Sequence, residues 1–467
     1  MNDNKTLSRT RPARLLTVLA AAAVLAGCSL MPVYERPAAP VPADWPGAAA
    51  GAAPASPLAW ADFVADARLR ELMALALQNN RDLRVATLNI EQVRAQYQIR
   101  QADQVPNLNL AASGNRQPAS GGGISSSYQV GLAMSSWEID FFGRIASLKE
   151  AALAQYLASE AARNAAQTSL VAAVASTWLS LQANDELLDL TRRTLATRSD
   201  SLRLTRLRFD NGATSALDLR QAESLTAAAQ AALAQQSRQR ALDLNALTLL
   251  VGQPLPSALV APAAAQAAQP LFRDVPAGLP SDLLARRADI LQAEQQLMAA
   301  NANIGAARAA FFPRLALTAS VGTASGDLSG LFKDGSWGFT LSPQALLPIF
   351  DAGRNQAGLD GAQAARAVAV AQYEKAIQSA FREVADALAG RATLGEQLHA
   401  QQAQATAEAE RLRLAELRYR NGVSSFLDVL DAQRSLFATQ QGLTQTRLAQ
   451  QQNQVALYKA LGGGWSE

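Results

Sequence analysis

The 467-residue sequence contains a single cysteine, Cys28, and a single histidine, His399. One cysteine cannot form an internal disulfide. One histidine, set in the polar stretch HAQQAQ, excludes histidine metal clusters and the Ser/His and Cys/His pairs of nucleophilic catalysis. The glycine triplets at 121–123 and 462–464 lack a following Lys-Ser/Thr, so they do not predict phosphate-binding loops. The sequence therefore offers no catalytic residue, no metal ligands and no cofactor site.

An excess of charge of one sign is also lacking. The chain carries 42 basic and 39 acidic residues. Residues 1–27 hold four of the basic residues and one acidic residue, so 38 of each remain beyond that segment. Because the charges beyond residue 27 are balanced, the sequence gives no reason to expect nucleic acid as a partner.

The first 27 residues have the pattern of a bacterial lipoprotein signal peptide. Four basic residues precede a short apolar run from Leu15 to Leu25, and Leu-Ala-Gly-Cys follows at 25–28. This pattern predicts cleavage before Cys28 and a lipid on that cysteine. Because Ser29 follows rather than aspartate, we expect the outer membrane as the location. An ordinary secretory peptide with a chance cysteine is the alternative.

The chain repeats itself at an offset of about 210 residues. LRLTRLRFDNG at 202–212 returns as LRLAELRYRNG at 412–422, and Gly143-Arg144 returns as Gly353-Arg354. A constant spacing over such a length indicates a rigid helical spacer, because loops tolerate insertions. We expect a tether at 28–68, a first structural repeat at 69–252, a linker rich in proline and alanine at 253–280, and a second repeat at 281–467.

Each repeat predicts a helix, a β-hairpin, a very long helix, a tight turn and a return helix. The first helices are expected from Leu69 to about Gln104 and from about Asp282 to Ala310. Apolar residues then alternate with polar ones on either side of a Gly-rich loop, which indicates two strands. The alternating sets are Leu108, Leu110 and Ala112; Tyr128, Val130, Leu132 and Met134; Leu315, Leu317, Ala319 and Val321; and Trp337, Phe339 and Leu341.

Proline-free stretches at 146–209 and 356–419 predict helices about 95 Å long. Asn211-Gly212 and Asn421-Gly422 are expected to stop them, since glycine accepts a positive φ. The predicted fold class is mainly α with a small β part. Four strands with one apolar face need other copies to complete them, because the smallest membrane barrels have about eight strands.

Six segments resemble the outer-membrane factor family of TolC-like channels, and within it the lipoprotein branch typified by OprM and MtrE. They are LAGCSLMPVYERP (25–37), ALQNNRDLRVATLN (76–89), WEIDFFGR (137–144), QLMAANANIGAARAAFFP (296–313), LDAQRSLFATQQ (430–441) and LYKALGGGW (457–465). The resemblance covers essentially the whole chain after the leader. It implies a homotrimer in which four strands per protomer build a shared twelve-stranded transmembrane β-barrel. Tandem coiled-coil helical hairpins continue it as a periplasmic α-barrel.

The resemblance also implies a function. Such a protein is the passive exit duct of a tripartite multidrug efflux system, anchored in outer-membrane lipid. Its lower tip docks on a periplasmic membrane-fusion adaptor, which links it to an inner-membrane RND transporter. It needs no cofactor and no enzymatic activity. A conduit for type I protein secretion shares this fold and stays an alternative. A lipid-tethered structural coiled coil is the alternative from another class, although it would need no amphipathic hairpins.

By match to the family motif, the periplasmic gate falls on Leu427, Asp428 and Asp431, with Tyr419 as an aromatic that ties neighbouring helices. Asp218 is the repeat counterpart of Asp428. Each of these two aspartates follows a serine by three residues after a helix stop, which is also the pattern of a capping box. Capping is therefore an equal alternative for both, as a helix-end staple is for Tyr419.

Asp431 differs, because its repeat counterpart is Gln221. Asp428 and Asp431 lie three residues apart on one helix face, and three copies would bring six such carboxylates around one axis. Like charges packed together would raise some of their pKa values and make the closed pore cation-selective.

The resemblance places the adaptor-docking tip at the two turns, and a solvated helix end is the alternative. The tip residues are Arg208, Asn211, Gly212, Arg418, Arg420, Asn421 and Gly422. Ser424 stands where the distant TolC branch has an arginine, so the arginine lock of that branch is not expected here.

Overall fold

The computed structural model describes residues 29–45, 58–118, 121–262, 270–276, 278 and 282–463. Cys28 and the leader lie outside this part of the chain. The helices are α1 (Trp60–Phe63), α2 (Ala67–Asn79), α3 (Arg81–Ala102), α4 (Arg144–Asp210), α5 (Ala216–Val251), α6 (Asp282–Arg286), α7 (Ala288–Ala309), α8 (Arg354–Arg420) and α9 (Phe426–Ala460). The strands are β1 (Asn109–Pro118), β2 (Ile124–Ile139), β3 (Arg314–Ser325) and β4 (Trp337–Leu346). Within the described ranges, none of the helices combines the length and the hydropathy that crossing a bilayer requires.

The two long helices confirm the predicted spacers. α4 and α8 contain 67 residues each and run without a break. The return helices α5 and α9 contain 36 and 35 residues. The turns between them place Gly212 at φ 69° and Gly422 at φ 72°. Residues with a Cβ rarely adopt this conformation, so the Asn-Gly pairs do stop the helices.

The first helix of each repeat is broken, so the prediction of a single helix was wrong. α2 and α3 are separated at Asn80, and α6 and α7 are separated at Arg287, 207 residues later. Asn80 caps the new helix, because its Oδ1 accepts a hydrogen bond from the backbone amide of Leu83 at 2.8 Å. Its Nδ2 donates to the carbonyl of Leu250 at 2.8 Å. Each break interrupts the helix for only one residue, which leaves the apolar periodicity almost unchanged.

The two predicted β-hairpins are confirmed, and they join into one antiparallel sheet in the order β1-β2-β3-β4. The central β2–β3 pairing connects the two repeats. Leu110, Leu132, Val321 and Phe339 lie opposite one another and form a row across all four strands. Side chains alternate between the two faces of a sheet, so this row belongs to one apolar face. The neighbouring row on the other face is Ala111, Gly131, Gly322 and Gly338.

A β-bulge keeps the apolar face of β2 continuous. Met134 lies opposite Ala319, but the next pair is Trp137 opposite Leu317, so β2 holds one extra residue there. Ser136 lies in the bulge and adopts a positive φ of 47°. Its backbone amide donates a hydrogen bond to Thr318 Oγ1 at 3.2 Å. The extra residue changes the alternation from even to odd numbers, which brings Trp137 onto the same face as Met134. The alternating pattern predicted the strand only as far as Met134.

Two glycines allow β2 and β3 to approach closely. A Cβ built on Gly131 would lie 2.3 Å from the carbonyl oxygen of Val321, and one built on Gly322 would lie 2.3 Å from that of Val130. Ordinary van der Waals contacts begin at 3.4 Å. Only glycine fits at these two positions without moving the strands apart.

The described residues form two compact units. One consists of the described residues within 29–38, 89–160 and 292–374, and the other of those within 39–88, 161–291 and 375–463. The boundaries of the two repeats stay a prediction, since each unit takes residues from both. The first unit contains the sheet. In it the carboxylate of Glu294 accepts hydrogen bonds from Arg36 Nε at 2.6 Å and Tyr34 Oη at 3.1 Å, which holds the N-terminal segment.

The second unit contains the apolar core. Trp178 of α4 is fully buried, and its indole N–H donates to the carbonyl of Leu259 at 3.2 Å. Phe63 stacks on Tyr458 with ring centroids 4.0 Å apart, and the hydroxyl of Tyr458 donates to the carbonyl of Leu58 at 2.7 Å. The predicted tether at 28–68 thus includes the short helix α1 and the start of α2, whereas residues 29–45 form no helix or strand.

Candidate functional site

The two helix turns are built alike. The first turn is residues 211–215 and the second turn is residues 421–425. In each, the amide that follows the glycine donates to the carbonyl five residues earlier, at 2.7 Å in the first turn and 2.9 Å in the second. The side-chain amide of Asn211 or Asn421 donates to the carbonyl four residues earlier, at 2.7 Å in both. These bonds form a Schellman motif and satisfy carbonyls that a helix end leaves free.

The first turn contains a capping box, which was the alternative to a gate role for Asp218. Ser215 Oγ accepts from the backbone amide of Asp218 at 3.1 Å, and the Asp218 carboxylate accepts from the backbone amide of Ser215 at 3.3 Å. The hydroxyls of Thr214 and Ser215 donate to the same carboxylate at 2.8 Å each. Hydrogen bonds from Thr214 and then Ser215 lower the pKa of Asp218. This carboxylate acts as a helix cap.

The second turn closes in a different way. Ser425 makes no capping hydrogen bond through its side chain, so the capping alternative does not hold for Asp428. Instead Phe426, the first residue of α9, packs on Tyr419 with ring centroids 5.0 Å apart. The counterparts of these two residues in the first turn are Ala216 and Phe209. An aromatic contact therefore replaces the polar cap in the second repeat.

Tyr419 also connects the two long helices. Arg208 Nη1 of α4 donates a hydrogen bond to the Tyr419 hydroxyl. The same guanidinium lies 5.2 Å from the centroid of the Tyr419 ring, within the range of a cation–π contact. The structure thus brings together a predicted gate residue and a predicted tip residue, one from each repeat. Phe209, the counterpart of Tyr419, has no hydroxyl to accept such a bond.

Asp431 lies between two arginines. Its carboxylate accepts from Arg411 Nη2 of α8 at 2.5 Å and pairs with Arg434 on its own helix. The hydrogen bond from Arg411, with the positive charge of Arg434, holds the pKa of Asp431 below its usual range. Arg411 also pairs with Glu408 at 3.2 Å. The chain thus gives Asp431 counter-charges of its own, and within one copy these lower its pKa.

The other predicted residues lie on the surface of the turns. Leu427 is 49% exposed although it is apolar, and Asp428 beside it is exposed. In the described part of the chain, the carboxylate of Asp428 makes no ion pair. Arg420 pairs with Glu416 at 3.7 Å. Arg418 is exposed on the same helix end.

Sequence reasoning missed Arg411 and Arg434. Their repeat counterparts are Ser201 and Ser224, and the counterpart of Asp431 is Gln221. Three charged residues in the second repeat thus replace three neutral ones in the first. This coordinated difference is the signal that identifies the cluster.

The comparisons with known proteins agree with this architecture. The model of the family described as outer membrane efflux protein matches residues 72–253 and 279–463. The chain is 49% identical to the outer membrane protein OprJ of Pseudomonas aeruginosa, over 98% of this chain and 97% of that protein. It is also 49% identical to the toluene efflux pump outer membrane protein TtgI of Pseudomonas putida, over 95% and 97%. The structure of the open state of the MtrE outer membrane channel of Neisseria gonorrhoeae matches with a TM-score of 0.84 at 41% identity, over 94% of this chain and 99% of that chain. The chain therefore belongs to the outer membrane efflux protein family and is an efflux channel of the outer membrane.

Proposed function

We propose that three copies of this chain form the exit duct of a tripartite efflux pump. The supporting observation is that β1 and β4 each pair with a single strand. Every residue of both edge strands is exposed. Such edges are unfavourable in lipid, because no water satisfies their N–H and C=O groups. Pairing β1 of one copy with β4 of the next removes every free edge, and three copies then supply twelve strands.

The proposed gate lies at the second turn. Leu427 and Asp428 are its exposed apolar and acidic groups, and Asp431 is held by its two arginines. The cluster of Glu408, Arg411, Asp431 and Arg434 contains two charges of each sign. Cation selectivity would then depend mainly on Asp428, which has no counter-charge among the described residues. Asp218 has a structural role as the cap of α5.

The proposed docking surface for a periplasmic adaptor consists of the two turns. Glycine and asparagine leave the backbone accessible there, and a Cβ on Gly212 or Gly422 would meet no atom within 4 Å. Arg418 and Arg420 add positive charge at the end of α8. Such a surface suits a partner that presents polar and acidic groups. The adaptor would link the duct to an inner-membrane RND transporter.

The cargo we propose is a range of small organic compounds. The relatives are named as toluene, solvent and antibiotic efflux pump proteins. A passive duct adds neither chemistry nor energy, so the choice of cargo belongs to the transporter. No observation favours type I protein secretion over this function. We also propose that lipid on Cys28 anchors the chain in the outer membrane.

A conductance experiment tests the proposal. The full chain, purified in detergent, should have three times the mass of one protomer by native mass spectrometry. In planar lipid bilayers it should conduct cations in preference to anions. Cys28→Ser is the matched control, because it removes the lipid site and leaves the sheet and gate unchanged. A monomeric protein that passes no ions would refute the duct.

A further inference from the structure

A cavity of about 230 Å³ lies among the helices of the second unit, away from the turns. Its walls come from α4, α8 and α9. The lining residues are Leu190, Arg193, Thr194, Thr197, Arg198, Leu412, Gln433, Leu436, Phe437 and Gln440. Two of these ten are arginines and none is acidic. Arg193 is paired with Asp189 at 3.1 Å, so among the described residues the positive charge without an acidic partner at this cavity is that of Arg198, beside four apolar residues.

Arg198 is the unusual residue in this wall. Its side chain is buried, with the residue only 4% exposed. Its Nη1 donates to the carbonyl of Leu225 at 3.0 Å, whereas its buried Nε has no hydrogen-bond partner within the part of the chain that the structure describes. The guanidinium lies 5.2 Å from the ring centroid of Phe437. No carboxylate of the described chain pairs with it, although buried arginines are normally paired.

The residue at the equivalent position of the second repeat has the opposite charge and an ion-pair partner. The counterpart of Arg198 is Glu408, which is paired with Arg411 at 3.2 Å. Gln433, which lines the cavity from α9, is 8% exposed, and its Oε1 has no hydrogen-bond partner among the described residues. The wall thus presents a buried donor with no anion and a buried acceptor with no donor. Each unsatisfied buried polar group in a native protein needs an explanation, and a bound water, ion or ligand is one of them.

We propose that this cavity binds a small organic anion, with its carboxylate on Arg198 and its apolar part against Leu436 and Phe437. A planar guanidinium binds a carboxylate through two parallel hydrogen bonds, which a neutral group cannot replace. The volume lies below the roughly 300 Å³ at which drug-sized ligand sites begin. An aromatic carboxylate with a single ring therefore matches the site in charge, shape and size.

Benzoate is the probe for this site. The full chain is purified in detergent, and its dissociation constants for benzoate, benzyl alcohol and acetate are measured by ligand-observed NMR. Benzyl alcohol keeps the ring without the charge, and acetate keeps the charge without the ring. We expect benzoate to bind at least roughly tenfold more tightly than either, because only benzoate combines a charged hydrogen bond to Arg198 with apolar contact to Leu436 and Phe437.

Arg198→Gln should abolish the preference for benzoate over benzyl alcohol. Arg192→Gln is the matched control, since Arg192 is exposed on the same helix and does not line the cavity. It should leave the preference intact. A crystal structure of the benzoate complex locates the ligand and needs no variant, so it decides the matter even if Arg198→Gln fails to fold. Equal binding of benzoate and benzyl alcohol, a preference that survives Arg198→Gln, or ordered water alone in the cavity would each overturn the proposal.

Discussion

Gly131→Ala should destabilise the sheet at the pairing of β2 with β3. The added Cβ would lie 2.3 Å from the Val321 carbonyl oxygen, and ordinary contacts begin at 3.4 Å. The obstacle is the backbone of β3, since the next nearest atoms are Cα of Gly322 at 2.7 Å and the carbonyl carbon of Val321 at 2.9 Å. No side chain can rotate away to make room. The two strands must therefore separate locally by about 1 Å.

A separation of this size sets the expected magnitude. A ladder hydrogen bond of about 2.9 Å stretched by about 1 Å no longer meets the geometric limits of a hydrogen bond. Two such bonds flank the site, and each contributes about 0.5–1.5 kcal/mol. Overpacking in a well-packed region costs about 1–3 kcal/mol by independent estimates. We expect Gly131→Ala to lower the free energy of unfolding by about 2–3 kcal/mol.

Gly326→Ala is the matched control for this substitution. It lies just beyond the end of β3, and its added Cβ would meet only the Ser126 carbonyl oxygen, at 3.8 Å. Replacing glycine where the backbone permits it is neutral or stabilises by up to about 1 kcal/mol. Urea unfolding of both variants in detergent, followed by tryptophan fluorescence, gives the comparison. If Gly131→Ala is as stable as Gly326→Ala, the close approach of the strands does not require glycine.

Three further predictions concern the turns. Asp431→Ala should raise single-channel conductance and the leak of large antibiotics, because it removes the ion pair between α8 and α9. Gln221→Ala at the equivalent position should change neither. Tyr419→Phe should loosen the gate less than Tyr419→Ala, since it keeps the stacking on Phe426 and loses only the hydroxyl; equal conductance of the two variants would contradict this. The pKa of Asp218 is lower in the folded chain than in the unfolded one, so its capping stability is present above about pH 3.9 and is lost as the pH falls through the folded pKa. Thermal unfolding of Asp218→Asn should show less loss of stability below pH 4 than the wild type, and parallel curves would refute the capping role.

The long elements were predictable because their signals are local. An Asn-Gly pair at the end of a proline-free stretch shows where α4 and α8 end, and this signal does not depend on tertiary contacts. Alternation of apolar residues likewise identified the hairpins. The break at Asn80 was missed, although the amide side chain that caps α3 is visible in the sequence. The bulge at Ser136 was missed because it moves the apolar positions from even to odd numbers, so in the sequence the alternation ends at Met134.

Pairings between distant residues were not predictable. β2 and β3 are separated by about 190 residues, and no local pattern shows that Gly131 will lie opposite Gly322. The same holds for the candidate gate. Asp431 could be singled out because its repeat counterpart is neutral, but its partner Arg411 is on another helix, and only the packing of α8 against α9 reveals the ion pair.

The pairing of β2 with β3 means that the seam between the duplicated halves runs through the sheet. Ten opposed residue pairs join the halves there, in addition to the covalent link. Neither half is complete on its own, because the unpaired backbone edge of β2 or β3 would then be exposed. The stability of each half therefore depends on the other. A substitution that weakens β2 also destabilises β3, although the two strands are far apart in the sequence.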